Sequence, residues 1–146
     1  MADLRDEILS YMGKCRVCTI ATADTDGKPN ASAVFFKNNE FDIYFNTDRE
    51  SEKAKNILTN PRIALVLQED GPIAQTDKEI KGIQYVGTAT TVTDDTMPEV
   101  PKAVLNRHRA FNSVSTGQSV IIKVTPSRIY MIDYSHGFRH RDVLEF

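Results

Sequence analysis

No apolar run in this chain of 146 residues approaches the roughly 20 that a membrane-spanning helix requires. The opening residues, MADLRDEILSYM, alternate charge with hydrophobe and lack the apolar centre of a signal peptide. Only two cysteines occur, Cys15 and Cys18, and with no export signal the expected location is a reducing cytoplasm. Positive charge is also scarce. There are 18 lysines and arginines against 20 aspartates and glutamates, a net charge of −2 with a pI near 5.9. That balance gives no general attraction to nucleic acid or anionic lipid, although a local cluster of cations still suits a small anion. The motifs GxSxG, HExxH, the Walker loop and GxGxxG are missing, which argues against a serine hydrolase, a zinc protease and a nucleotide kinase. What is present, 40% hydrophobic and 26% charged residues without repeats, fits one globular domain over residues 1–146 that ends in a polar tail at 133–146.

Periodicity divides the chain. Residues 3–12 predict a short helix with Leu4, Ile8, Leu9 and Met12 on one face, Asp3 as its cap and Gly13 as its stop. Val17 to Ala23 is rich in β-branched residues, and Asp26-Gly27 centres a turn before a second strand from Asn30 to Lys37. Asn38-Asn39 predicts another tight turn. A third strand follows from Glu40 to Asn46, with Phe41, Ile43 and Phe45 on one face and Asp42 and Tyr44 on the other. Residues 47–59 read as a helix in which Thr47 and Glu50 fit a capping box and Ser51 offers a second cap. Arg62 to Gln68 is a core strand, and residues 70–78 are a loop. Ile80 to Thr93 is a long strand bent at Gly87, and residues 97–112 form a helix with Pro98 and Pro101 at its start. Ser119 to Thr125 and Arg128 to Ile132 make a closing strand or pair interrupted at Pro126. Six or seven mostly antiparallel strands with two or three helices suggest a small β-barrel with helices outside it.

Three groups of residues carry possible chemistry. Cys15-x-x-Cys18 is short of two ligands for zinc and enters a strand rather than a helix start, so its residues read as structural thiols. His108, between Arg107 and Arg109, reads as part of a solvated basic helix face. The richest stretch runs from Tyr44 to Ile57, where a strand ends and a helix begins. Free N–H groups at the helix start, hydroxyls at Thr47 and Ser51, and cations at Arg49 and Lys53 suit a phosphate. A well-capped surface helix with a Glu50–Lys53 ion pair accounts for the same spacing.

Four segments in order carry a resemblance: CTIATADTDGKPNASAVFFK, the Thr47–Lys53 stretch followed by Asn60-Pro61, Ile83-Gln-Tyr-Val-Gly87-Thr-Ala89, and Ile121 to Tyr134. Together they resemble the pyridoxamine 5′-phosphate oxidase-like family of FMN-binding split barrels, especially its short, general-stress-protein-like members. The resemblance spans about residue 4 to residue 134. It implies a mainly β fold, a six- to seven-stranded antiparallel split barrel, and FMN as cofactor. It implies that Lys53 holds the FMN phosphate with Ser51 and Thr47 as hydroxyl donors and Asn46 beside them. It further implies that Ser32, Ala33, Val34 and Phe35 lie along the flavin ring with Lys37 at the strand's end, and that two subunits form the site as a homodimer. The oxidase itself has arginine where Ser32 stands here, and the helix at 97–112 lacks its tyrosine–arginine–serine trio. The expectation is therefore a flavin-dependent oxidoreductase acting on a small substrate that the sequence does not name, with no metal and no assigned catalytic residue. The alternative is a binding or sensing module that holds flavin, haem or a deazaflavin on the same barrel. His136, Arg139 and His140 in the tail are candidates to reach the cofactor.

Overall fold

The computed structural model describes residues 3–71, 74–114 and 118–146. Its framework is one curled antiparallel sheet of eight strands: β1 (Val17–Ala23), β2 (Pro29–Phe35), β3 (Lys37–Asn39), β4 (Asp42–Asp48), β5 (Arg62–Leu67), β6 (Lys81–Thr91), β7 (Ser119–Asp133) and β8 (Arg141–Glu145). Three α-helices accompany it: α1 (Leu4–Lys14), α2 (Glu52–Thr59) and α3 (Lys102–Val114). Strand order is β2-β1-β5-β6-β7-β4-β3, with β8 added on β7. The two ends of that order, β2 and β3, are consecutive in the chain and joined through Phe36 alone. Curling the sheet brings its ends together there, and the Phe36 N–H donates to the Arg16 carbonyl.

Local signals explain most elements. The Asp3 carboxylate accepts the Asp6 N–H at the start of α1. In the β1–β2 turn one Asp24 oxygen accepts the N–H groups of both Asp26 and Lys28, while Gly27 takes φ +84°, which glycine tolerates without a Cβ clash. Alternation along β1 and β5 sends Cys18, Ile20, Ile63, Leu65 and Leu67 into the core. Tyr85 is buried among them, and its hydroxyl donates toward the carbonyls of Phe41 (2.7 Å) and Val124 (3.0 Å). The bend expected at Gly87 is a bulge that shifts the β6–β7 register. Gly87 faces Pro126 there, and a Cβ on it would collide with the Thr125 carbonyl.

Several expectations need correction. α1 runs through Gly13 to Lys14. The turn expected at Asn38-Asn39 falls two residues later, at Glu40-Phe41, with Glu40 at φ +52°. The second strand stops at Phe35, and Lys37 opens β3 at the other end of the sheet order, because the chain must change edges where the barrel closes. Pro126 does not divide β7, since the bulge absorbs it. The polar tail contains a strand, β8, tied to β7 by an Arg128–Glu145 ion pair of 2.8 Å. Separating β3 and adding β8 raises the strand count to eight. The loop expected at 70–78 has a 3-10 turn at Asp77–Glu79, and its residues 72–73 lie outside the described residues.

Candidate functional site

β4 and α2 build the corner that the sequence singled out. The expected Thr47–Glu50 capping box does not form. Thr47 belongs to the end of β4 and is buried, and the cap is Ser51, whose Oγ accepts the Ala54 N–H at 3.3 Å. The Ser51 hydroxyl donates to the Asp48 carbonyl at 2.7 Å and stands 3.1 Å from Thr47 Oγ1. Glu52 and Lys53 follow as the first helical residues, so their N–H groups have no intrahelical acceptor. Glu50 pairs with Lys55 at 3.8 Å, not with Lys53. Among the described residues neither Lys53 nor Arg49 has a carboxylate within ion-pair distance. Two hydroxyls, two helix-start amides and an uncommitted ammonium thus meet within one turn.

β2 supplies the second half. Among the described residues it pairs only with β1, leaving the backbone groups of its other edge without a ladder partner. Its side chains alternate. Ala33 and Phe35 face outward, whereas Ser32 and Val34 face inward, Val34 against the core. Ser32 Oγ is buried and meets no hydrogen-bond partner among the described residues. Two of the expected site residues sit elsewhere. Lys37, on β3, lines a small cavity with Arg16, Phe36 and Arg107, and the Arg107 guanidinium lies 3.9 Å above the Phe35 ring. Asn46 is on the opposite face of β4 from Thr47, where its amide donates to Ser119 Oγ at 3.2 Å.

That opposite face was not legible as a site. The third strand's expected polar side is covered by α3 and the segment before it, which pack Val104 and Val100 on Tyr44 and Ile121. Beyond this patch a cavity of about 500 Å³ opens, lined among others by Arg49, His108, Asn112, Gln118 and Ser119. His108 is half-buried here and does not form the solvated face expected of it. Burial, then the neighbouring Arg109 charge, lowers its pKa below the usual imidazole value. Its spacing of four from Asn112 was the available signal; the partner strand that closes the cavity was not.

The cysteines agree with the structural reading. Cys15 and Cys18 are free and buried in the core, where burial pushes their thiols up to about 11 and about 12. Such thiols are protonated and unreactive at neutral pH. In the tail, His136 and His140 stand 5.4 Å apart, each 3.3 Å from a carboxylate, Asp133 and Asp142 respectively. Among the described residues no helix is long and apolar enough to cross a membrane.

The family model for pyridoxamine 5′-phosphate oxidase matches residues 4–133. A heme binding protein from Mycobacterium smegmatis superposes with a TM-score of 0.81 at 16% identity, over 99% of this chain and 59% of that one, so the chain spans only part of that protein's length. General stress protein 26 from Bacillus anthracis gives 0.69 at 23% identity, covering 98% of both chains. A pyridoxamine 5′-phosphate oxidase-related, FMN binding protein from Nostoc punctiforme gives 0.68 at 14% identity, covering 100% of this chain and 97% of that one. With the curled sheet, the order of its segments and the matched span in agreement, the chain belongs to the pyridoxamine 5′-phosphate oxidase-like family of split barrels.

Proposed function

We propose that this protein binds FMN and serves as a flavin-dependent oxidoreductase for a small substrate. The observation that carries the reading is Lys53: it stands in the first turn of α2, beside the Thr47–Ser51 hydroxyl pair, with no carboxylate among the described residues paired to it. A phosphate dianion there meets an ammonium, helix-start N–H groups and the positive end of the helix dipole. Ser32, with a buried Oγ that lacks a partner, and the unpaired edge of β2 suit a polar ring system laid along that strand, with Ala33 and Phe35 as apolar contacts. Bound FMN would supply hydride and electron transfer, while the protein orients the ring and offers donors to its oxygens. Lys37 and Asn46 would act from the margins of this site, Lys37 through the charge it shares with Arg16 and Arg107, and Asn46 by bracing β4 on β7.

A homodimer is part of the proposal. Val17, Phe35 and Val66 are exposed on the outer face of β1, β2 and β5, flanked by Ala21, Ala31 and Ala33, a flat apolar surface suited to a second copy. Members of this family are generally dimeric. A cytoplasmic location goes with the same reading.

Purified protein provides the test. Yellow colour with FMN released on denaturation is expected, and bleaching by reduced nicotinamide with reoxidation in air would mark an enzyme. Lys53→Glu should weaken FMN retention about 100-fold, by loss of a charged hydrogen bond and added repulsion, with the melting temperature nearly unchanged. Retention unaffected by that substitution would remove the site assignment. Haem is the second reading, favoured by the His136–His140 pair and the heme binding relative; a Soret band in place of flavin absorbance would select it.

A further inference from the structure

The cavity beneath α3 has a wiring of its own. The Ser119 N–H donates to Asn112 Oδ1 at 2.8 Å, which fixes the orientation of that amide. Asn112 Nδ2 is therefore the atom 3.4 Å from His108 Nε2, and it donates. His108 Nε2 must accept, so the ring is neutral with its proton on Nδ1, an atom buried without a partner among the described residues. Protonating the ring would set two donors against each other, in keeping with the lowered pKa. Ser119 Oγ accepts from Asn46, which leaves its O–H free to donate. The lining thus carries one full charge, the Arg49 guanidinium, beside the neutral His108 ring and the Ser119 hydroxyl. Met97 and Val92 supply an apolar side.

We propose that this cavity is a second small-molecule site, for a monoanionic carboxylate with a compact apolar body, its charge met by Arg49 and its body lodged between His108 and Met97. The charge count selects the ligand. A single cation beside a neutral imidazole balances a carboxylate, whereas a phosphate dianion gains from the helix-start N–H groups that accompany the one cation at Lys53 and that do not line this cavity. The volume, about 500 Å³, lies in the range of small-molecule sites, roughly 300–1,000 Å³. The proposal does not depend on the flavin reading.

Benzoate is the probe, and its neutral isostere benzamide is the control. The chain has three histidines, so the His108 ring proton signals are assignable by comparison with His108→Gln. Titrating the intact protein with benzoate should shift the His108 signals saturably and leave His136 and His140 in place. Benzamide, and benzoate on Arg49→Gln, should bind at least about tenfold more weakly, the loss expected of one charged hydrogen bond. Arg49 is exposed, so that variant should keep its fold, checked by its melting temperature. Equal responses to benzoate and benzamide, an unmoved His108, or full affinity in Arg49→Gln would each overturn the proposal. Flavin absorbance in the same samples reports the Lys53 corner separately.

Discussion

β4 carries charge beside both of its ends, and the two ends are wired in opposite ways. At its start Lys123 reaches Asp42 at 3.7 Å and Glu99 at 3.3 Å, so the cation from β7 is shared between two carboxylates. At its end Arg49 and Lys53 stand without a carboxylate partner among the described residues, while the hydroxyls of Thr47 and Ser51 are tied into the helix start. A closed charge network needs nothing further and serves the fold. An open one, placed where helix geometry already leaves N–H groups unmet, is what the proposed phosphate site requires.

The strongest way to break this comparison is to break both ends together. β7 carries Lys123 to one end and Ser119 to the other, and its register against β6 depends on the bulge at Gly87. Gly87→Ala would place a methyl group against the Thr125 carbonyl and the Pro126 backbone, neither of which is a flexible chain end. The expected cost is about 3 kcal/mol, the upper range for overpacking, read as a fall in the urea midpoint. Flavin retention should decline with it, since the corner is held by the same sheet. A variant as stable as the parent would mean that the bulge is not needed.

Breaking only the closed end gives a smaller effect with a pH signature. Lys123→Met leaves Asp42 and Glu99 facing each other, at a cost of about 1–2 kcal/mol near pH 7. Burial already raises the Asp42 pKa, with Lys123 opposing the rise. A carboxyl whose folded pKa is raised contributes stability at pH below its unfolded value and loses it as pH climbs through the folded one. Removing Lys123 raises that folded pKa further, so the penalty should be largest at neutral pH and shrink toward pH 4. A penalty independent of pH would show that the network's charge is not what stabilises this end.

The two ends were unequally legible. Ser51 and Lys53 could be placed from sequence because cap and helix start are local signals, and the alternation in β1 and β5 is likewise local, whereas Thr47, read as helical, closes β4. The capping box reads at Thr47–Glu50 with Ser51 as a second cap candidate, and the burial of Thr47 in β4 leaves Ser51 as the cap. Lys37 was misplaced because the single-residue passage from β2 to β3 at Phe36 is imposed by the curling of the whole sheet. β8 was hidden in RHRDVLE, whose polarity reads as tail until β7 offers it an edge. The relay from Asn46 to His108 joins residues 62 positions apart through Ser119, and no periodicity carries such a closure.

The finest distinction between the two ends lies in Ser51, where structure and proposed binding share one hydroxyl. Ser51→Ala removes the cap of α2 and should cost about 1 kcal/mol. Ser51→Asp restores a cap, because an aspartate oxygen accepts the Ala54 N–H as the serine does and its charge favours the helix start. Stability should then return to within about 0.5 kcal/mol of the parent. For a phosphate the same carboxylate is a repulsive neighbour that occupies the donors it needs. Ser51→Asp should therefore fold like the parent yet hold FMN more weakly than Ser51→Ala does, by melting temperature and by flavin absorbance after gel filtration. If retention instead follows stability across the two variants, the hydroxyl at the end of β4 serves the fold alone, and the two ends of the strand differ only in how their charges are arranged.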